Sequence, residues 1–263
     1  MNLKKYLKVN KALSLIKKKE IKHNDVFAAN NILSDETPFV IRESYKMART
    51  NIIFSVAGSN KSNCKLIAVT SAMPGEGKTT STINIAIAFS QTGSRVLMVD
   101  CDLRKPRIHR YLGVKKKIGL TSVISGQATL SDAINKDVRK DLDVLTSGEL
   151  PPNPAELLSS ERMQEVIDEL SQRYDYIFFD TPPVTVVTDA AALSPFVDGM
   201  MIVVRQNHTD HESLASAINL LNIANAKIIG FFVNDVVKKS RYGTPYTHKS
   251  GYSYGEYVPD NEL

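Results

Sequence analysis

The chain has 263 residues, 43% of them hydrophobic and 23% charged, with a formal net charge of +5. This length can bury one sizeable core, so we expect one α/β domain with extensions at both ends. The two cysteines form no CxxC pair, which argues against a disulfide framework and a zinc site and fits a reducing cytosol. Since no apolar run is long enough to span a bilayer, any membrane role is expected to need a partner or a surface contact.

Residues 1–38 form a basic extension in our interpretation. Residues 1–22 hold eight lysines and a single acid, Glu20. The segment is either a solvated helix or disordered tail, or a contact for acidic lipid headgroups or an acidic partner. Charge is nearly balanced in the rest of the chain, so nucleic acid is not an expected partner.

A helix is predicted next, because Ile41, Tyr45, Ala48 and Ile52 recur at helical spacing up to Phe54. Three charged residues lie three positions apart on another face of this helix, namely Glu43, Lys46 and Arg49. By themselves they fit an ordinary charged surface with local ion pairs.

Short apolar runs alternate with amphipathic helical segments from residue 66 onward. The spacing of apolar residues predicts helices around residues 83–89, 163–170 and 214–221. The runs predict buried strands at residues 66–70, 96–99, 142–145, 177–179, 201–204 and 229–233. Alternation of this kind predicts an α/β fold with a mostly parallel sheet that is covered by helices on both faces. We place this domain at residues 39–237.

The last segment, residues 238–263, has few aliphatic residues and several glycines, prolines, serines and threonines. It cannot bury a core, so we expect a flexible tail. Five of the ten tyrosines lie there, namely Tyr242, Tyr246, Tyr252, Tyr254 and Tyr257.

Residues 72–79 read AMPGEGKT and follow a predicted strand directly before a predicted helix, which is the context of a phosphate-binding P-loop. Gly75 and Gly77 let the backbone curl so that N–H groups point at phosphate oxygens. Lys78 can reach the β- and γ-phosphates, and the Thr79 hydroxyl can bind Mg²⁺. The first position of the loop pattern is Ala72 instead of glycine; this position needs little room, so alanine should be tolerated there.

Two further strands end in aspartates, Asp100 and Asp180, and Asp102 follows the first of them. The carboxyl ends of parallel strands open on the same edge as the P-loop, where ligands bind. One aspartate there can hold Mg²⁺ and another can accept a proton from an attacking hydroxyl, although single strand-end aspartates often only cap a turn.

Two other features lie close to these aspartates or at the same edge. The basic run Arg104-Lys105-Pro106 either borders the site or forms a surface turn. Asn234 ends the last predicted strand and either bonds a base edge or caps the strand. We assign nucleotide contact to the loop and to this asparagine, that is, to Gly75, Glu76, Gly77, Lys78, Thr79, Thr80 and Asn234.

The segments SAMPGEGKTT, VLMVDCDLRKP and YIFFDTPPV resemble the Walker A, A′ and B motifs of bacterial tyrosine kinases, the P-loop kinases of capsule and exopolysaccharide synthesis. The sequence PPNPAELL at residues 151–158 and the tyrosine-rich end match the same family. The resemblance covers the chain from Glu43 to its end.

The resemblance implies a protein-tyrosine autokinase that uses ATP and Mg²⁺. It implies that Lys78 and Thr79 bind ATP·Mg²⁺, that Asp102 and Asp180 serve the metal, and that Asp100 accepts the tyrosine proton. The five tail tyrosines become the autophosphorylation sites, which a neighbouring copy presents within a ring-like oligomer.

The resemblance also implies where the protein assembles and acts. The family's oligomer helix carries Glu-x-x-Arg-x-x-Arg, which here reads Glu43, Lys46 and Arg49; lysine keeps the charge but loses the bidentate fork of arginine. Gram-positive members are separate soluble chains that the cytoplasmic segment of a membrane-anchored polysaccharide co-polymerase activates. We therefore expect a cytoplasmic protein that a partner recruits to the inner face of the membrane.

Two alternatives remain at this point. One is a partition or positioning ATPase; such proteins usually carry an extra lysine in a KGGxGKT loop, where this chain has Met73. The other is a scaffold that binds nucleotide only to assemble a polysaccharide-export complex, which the intact Lys78 and strand-end aspartates disfavour.

Overall fold

A computed structural model of the chain describes residues 31–58 and 63–237. Seven strands form one sheet in the described residues: β1 Lys65–Ser71, β2 Val96–Asp100, β3 Ile134–Arg139, β4 Leu142–Leu145, β5 Tyr176–Asp180, β6 Gly199–Arg205 and β7 Ile228–Asn234. Their order across the sheet is β3-β4-β2-β5-β1-β6-β7, and all neighbours are parallel except β3 and β4. The predicted mostly parallel α/β sheet is confirmed.

Helices connect the strands and cover the sheet. They are α1 Phe39–Val56, α2 Lys78–Ser90, α3 Ile108–Tyr111, α4 Leu120–Ile124, α5 Leu130–Ala133, α6 Pro154–Leu158, α7 Glu161–Ser171, α8 Asp189–Leu193 and α9 His211–Ile223, with a 3-10 turn at Ser194–Phe196. Apolar spacing predicted α1, α2, α7 and α9. Among the described helices, none combines the length and apolarity that crossing a membrane requires.

The sheet is buried on both faces because its strands are apolar at successive positions. In β1, Ile67 and Val69 belong to the core that α1 and α2 cover, whereas Leu66 and Ala68 belong to the core on the opposite side, under α7 and α9. Both faces of a strand must be apolar in such a three-layer arrangement, and this explains the near-continuous apolar runs.

β3 is the strand that our sequence analysis missed. Its sequence, INKDVR, is mostly polar, and it pairs antiparallel with β4 at the edge of the sheet. The register shifts between Asn135 and Arg139, where Asp137 has a φ of +51°. Of the six residues of this bulged edge strand, Ile134 alone is buried, so the strand has no alternating apolar pattern.

Helix α1 and the residues before it pack on α2, the helix that follows the P-loop. The Tyr45 ring stacks on Phe232 with ring centroids 5.5 Å apart. The Leu33 amide donates to Asn84 Oδ1 at 2.8 Å, and Ile32 and Leu33 are buried. The proposed domain boundary at residue 38 stays a prediction, but the ordered contacts with α2 begin before it.

Candidate active site

The P-loop has the curled backbone that its glycines predict. Gly75 and Gly77 have φ angles of +87° and +82°, in the left-handed region that favours glycine. Helix α2 begins at Lys78, directly after Gly77, and Gly77 has no side chain with which to cap it. The first amides of α2 can therefore donate hydrogen bonds to an anion, as at other helix N-termini that bind phosphate.

Gly77 also lies against Asn234, the last residue of β7. A Cβ atom at position 77 would lie 2.1 Å from Asn234 Nδ2. The same Nδ2 donates to the Glu76 carbonyl at 3.0 Å. Asn234 thus holds the end of the P-loop in this structure, and its predicted contact with a base edge stays a prediction.

The Glu76 side chain stabilises the P-loop through hydrogen bonds. Its carboxylate is buried and accepts the Met73 amide at 2.7 Å and the Thr209 hydroxyl. The side chain therefore faces the protein, so contact between Glu76 and a nucleotide would have to come from its backbone. Thr80 lies half-buried one residue beyond Thr79.

Lys78, Thr79 and Asp180 form a bonded cluster at the carboxyl edge of the sheet. Lys78 Nζ lies 2.5 Å from Asp180 Oδ1, and both side chains are buried. The Thr79 hydroxyl donates to Asp180 Oδ2 at 2.7 Å. Burial raises the pKa of Asp180, while Lys78 and Thr79 act in the opposite direction.

Asp100 lies beside Asp180, because the parallel register of β2 and β5 aligns these two strand ends. Asp100 is fully buried; Oδ2 accepts the Ile108 amide at 3.3 Å, whereas Oδ1 has no hydrogen-bond partner among the described residues. Burial raises the pKa of Asp100 well above its usual value. The Asp180 and Asp102 carboxylates raise it further, and Lys78 opposes them.

Asp102 and Arg104 complete this side of the site. Asp102 is partly buried and its Oδ1 accepts the Lys105 amide at 2.9 Å. Arg104 makes a two-pronged bond to Asp189, with distances of 2.9 and 3.0 Å, and Asp189 is fully buried at the start of α8. This pair fixes the turn after β2, and our sequence analysis did not identify Asp189.

The segment that follows β6 also contacts the P-loop. Arg205 Nη1 donates to the Gly75 carbonyl at 3.3 Å, and His208 Nε2 lies 3.2 Å from the Pro74 carbonyl. Thr209 donates to Glu76. Sequence analysis missed these residues; their only signal is a position directly after a strand that ends at the same edge.

The three charged residues of α1 that lie three positions apart, Glu43, Lys46 and Arg49, do not behave alike. Lys46 and Glu43 form an exposed ion pair at 2.7 Å. Arg49 instead donates through Nη1 to the Ala88 carbonyl in the last turn of α2, at 2.7 Å. Their role in an oligomer interface stays a prediction. The five candidate acceptor tyrosines and the basic segment 1–30 lie outside the described residues.

The donor set fits Mg²⁺ bound together with phosphate. The groups that meet at this edge are hard oxygens from Thr79, Asp180 and the partly buried Asp102. No cluster of three or more His, Cys, Asp or Glu residues in the described part of the chain could hold a metal by itself. Mg²⁺ typically binds through one or two carboxylates and completes its shell with waters and substrate phosphates.

The fold and this edge define the class of P-loop nucleotide-binding proteins. A model of the AAA domain family matches residues 64–229. The chain is 41% identical over 216 residues to the tyrosine-protein kinase YwqD of Bacillus subtilis (strain 168). The aligned region covers 81% of this chain and 90% of YwqD. It is 33% identical to the putative tyrosine-protein kinase CapB of Staphylococcus aureus, over 79% of this chain and 91% of CapB.

The chain is also similar to a solved structure. The crystal structure of the chimerical protein CapA2B2 superposes with a TM-score of 0.73 at 34% identity, covering 80% of this chain and 91% of the other. The chain therefore belongs to the bacterial tyrosine kinases, as its motifs predicted.

Proposed function

We propose that this chain is an ATP-dependent protein-tyrosine autokinase that regulates capsular or exopolysaccharide synthesis and export. The observation that carries the proposal is the meeting of Lys78, Asp180 and Asp100 at the edge where the P-loop opens. Membership of a family whose relatives are named tyrosine-protein kinases supports the same activity.

The P-loop would bind the phosphates of ATP. Its amides and the N-terminus of α2 supply donors, and Lys78 supplies a buried positive charge beside them. Thr79, Asp102 and Asp180 would hold Mg²⁺, which neutralises charge on the transferring phosphoryl group when it is bound. Phosphoryl transfer depends mainly on positioning and on such charge stabilisation, and this edge provides both.

Asp100 would accept the proton of the attacking tyrosine hydroxyl. A tyrosine titrates near pH ~10 in model peptides, so a nearby base is needed for its proton to leave. Asp100 Oδ1 has no hydrogen-bond partner among the described residues and is free to take that proton. The bond from tyrosine oxygen to the γ-phosphorus forms as the bond from this phosphorus to the bridging oxygen of ADP breaks.

The acceptors would be Tyr242, Tyr246, Tyr252, Tyr254 and Tyr257, presented in trans within a ring-like homo-oligomer. Helix α1 is a suitable interface, because Met47 and Phe54 expose apolar side chains beside the Glu43–Lys46 pair. A membrane-anchored polysaccharide co-polymerase would activate the chain and recruit it from the cytoplasm to the inner face of the membrane. The similar solved structure is of a chimerical protein, CapA2B2, which supports a pairing of this kind.

A partition or positioning ATPase is the second candidate, since it would use the same P-loop. The residue at the position of its extra lysine is Met73, whose backbone amide is bound to Glu76. The chain has no lysine at that position, so the kinase remains the better proposal.

The test is phosphorylation of the full chain with Mg·ATP, followed by detection of phosphotyrosine. We expect Lys78→Met to abolish labelling while the protein stays folded, because the P-loop loses its buried cation. Lys140→Met is the matched control, since Lys140 lies beside the amino end of β4 at the opposite edge and should label normally. Normal labelling of folded Lys78→Met would overturn the proposal.

A further inference from the structure

A dense run of positive charge follows strand β2. Residues 104–117, RKPRIHRYLGVKKK, hold seven lysines and arginines and no acid. We call the cations Lys105, Arg107, Lys115, Lys116 and Lys117 the basic ridge; all are exposed except Lys116, which is half-buried.

The fold holds the basic ridge next to the catalytic aspartates. The Lys105 amide donates to Asp102 Oδ1 at 2.9 Å, and the Ile108 amide, one residue after Arg107, donates to Asp100 Oδ2 at 3.3 Å. The ridge therefore begins next to Asp100, which ends β2, and Asp102, two residues beyond it.

The far end of the ridge is fixed at the carboxyl end of β4. The Lys115 carbonyl accepts the Thr146 hydroxyl at 3.3 Å and the Asn135 amide at 3.4 Å. Because β4 is the parallel neighbour of β2, the lysine run lies on the same edge of the sheet as the active site.

The ridge carries charge that the domain does not neutralise. Arg104, the first cation of the run, is bonded to Asp189. The five ridge residues form no ion pair within the part of the chain that the structure describes. Unpaired cations on a protein surface attract an anionic ligand and raise its local concentration.

The order of the strands places the ridge on the acceptor side. The P-loop follows β1, Asp180 ends the neighbouring β5, and Asp100 ends β2 beyond it. A hydroxyl that gives its proton to Asp100 must approach from the side opposite the P-loop, where the basic ridge begins.

The tail has a matching charge pattern. Residues 250–263, SGYSYGEYVPDNEL, contain Glu256, Asp260 and Glu262 and no lysine or arginine. The preceding residues 238–249 contain Lys238, Lys239, Arg241 and Lys249 and no acid. Only the second half of the tail is therefore complementary to the ridge.

We propose that the basic ridge binds the acidic segment 250–263 of a second copy of this chain and selects Tyr252, Tyr254 and Tyr257 over Tyr242 and Tyr246 as phosphate acceptors. The proposal rests on the proposed kinase function and adds the surface that recognises the acceptor. Each phosphate adds about −1.5 to −2 charges, so binding to the ridge strengthens as the segment is modified.

The test measures KM and kcat for a synthetic peptide of residues 250–263 with the full chain as the enzyme. The variant Lys115→Gln/Lys117→Gln should raise the peptide KM about three- to tenfold, the range expected for two exposed charge pairs, with kcat unchanged. High salt should reduce the difference. The matched control is Lys140→Gln/Lys227→Gln, which removes the same charge at the amino ends of β4 and β7 and should change neither constant.

Charge reversal separates recognition from a structural effect. Lys115→Glu/Lys117→Glu should phosphorylate the natural peptide poorly, and a peptide with lysine at positions 256, 260 and 262 should restore the rate. In the full chain, the same variant should shift phosphate from Tyr252, Tyr254 and Tyr257 to Tyr242 and Tyr246.

The outcomes distinguish the two proposals. If the natural chain phosphorylates neither itself nor the peptide, with or without an activator segment, the proposed function is wrong. If it phosphorylates the peptide and the ridge variants have the natural KM, the kinase stands and the ridge proposal is wrong. Loss of binding to vesicles of acidic lipid in the ridge variants, with an unchanged peptide KM, would assign the ridge to a membrane surface instead.

Discussion

The close contact between Gly77 and Asn234 gives a sharp test of the P-loop geometry. Gly77→Ala adds one methyl group at a φ of +82°, 2.1 Å from Asn234 Nδ2. Gly93→Ala is the matched control, because Gly93 has the same φ of +82° and an added Cβ there meets nothing within 4 Å. The two substitutions share the backbone strain and differ only in the contact.

The expected losses of stability follow from the backbone strain and from the contact with Asn234. A left-handed conformation costs a residue with a Cβ about 1–2 kcal/mol, which is the whole loss expected for Gly93→Ala. Gly77→Ala must also displace the Asn234 amide and break its bond to the Glu76 carbonyl, worth about 0.5–1.5 kcal/mol. We therefore expect Gly77→Ala to lose about 2–3 kcal/mol and to bind nucleotide poorly, while Gly93→Ala binds nucleotide normally.

Urea unfolding and ATP titration measure both effects. In the double variant Gly77→Ala/Asn234→Ala the obstructing side chain is gone, so the two losses should not add. Equal destabilisation of Gly77→Ala and Gly93→Ala, or strictly additive losses in the double variant, would refute the argument.

Three further substitutions test other contacts. Arg49→Ala removes the hydrogen bond to the Ala88 carbonyl, so the free energy of unfolding should fall by about 1 kcal/mol. If Arg49 also lies in the oligomer interface, light scattering should show a shift toward monomers. An unchanged free energy of unfolding and an unchanged mass would contradict the structural role and the interface role of Arg49. Asp100→Asn should abolish phosphorylation yet raise the free energy of unfolding at neutral pH by about 1 kcal/mol or more. Because burial raises the pKa of Asp100, the contribution of this one carboxyl to stability falls as the pH rises above about 4, so the gain from Asp100→Asn should grow with pH; a pH-independent difference would contradict this reasoning. Arg104→Ala leaves the buried Asp189 without its cation and should cost about 1–2 kcal/mol in urea unfolding, while Arg104→Lys should restore only part of it; full recovery would show that the two-pronged geometry is unimportant.

The parallel core of the fold could be predicted from the sequence because each of its strands is buried on both faces. Strands such as β1 and β2 read as apolar runs that end in polar residues, and α2 follows the P-loop directly. The edge strand β3 and the short helices α3 to α6 were not predicted, since few of their residues are forced into the core by a regular period.

The site was predictable to the extent that its chemistry lies at strand ends. Lys78, Asp100 and Asp180 meet because parallel strands end at one edge. The supporting contacts were not predictable, because they join residues far apart in sequence: Arg104 with Asp189 and Thr209 with Glu76. Neither pair has a local motif, and each depends on how loops from different strands pack together.

Arg49 makes a contact that its sequence pattern did not predict. Its spacing with Glu43 and Lys46 indicated a shared charged face, yet its guanidinium bonds the last turn of α2. Helix α1 is thereby tied to the helix that follows the P-loop, so the proposed assembly through α1 would be coupled to the nucleotide site.

The central claim is transfer of phosphate from ATP to the tail tyrosines, and an intact-mass spectrum of the full chain after incubation with Mg·ATP tests it most directly. The incubation should be run with and without the cytoplasmic segment of a candidate membrane activator. We predict added phosphates that map to the tyrosines at positions 242–257 and that are absent from Lys78→Met. Steady ATP hydrolysis without any added phosphate would contradict the account and indicate a positioning ATPase, and the absence of both activities would indicate a scaffold.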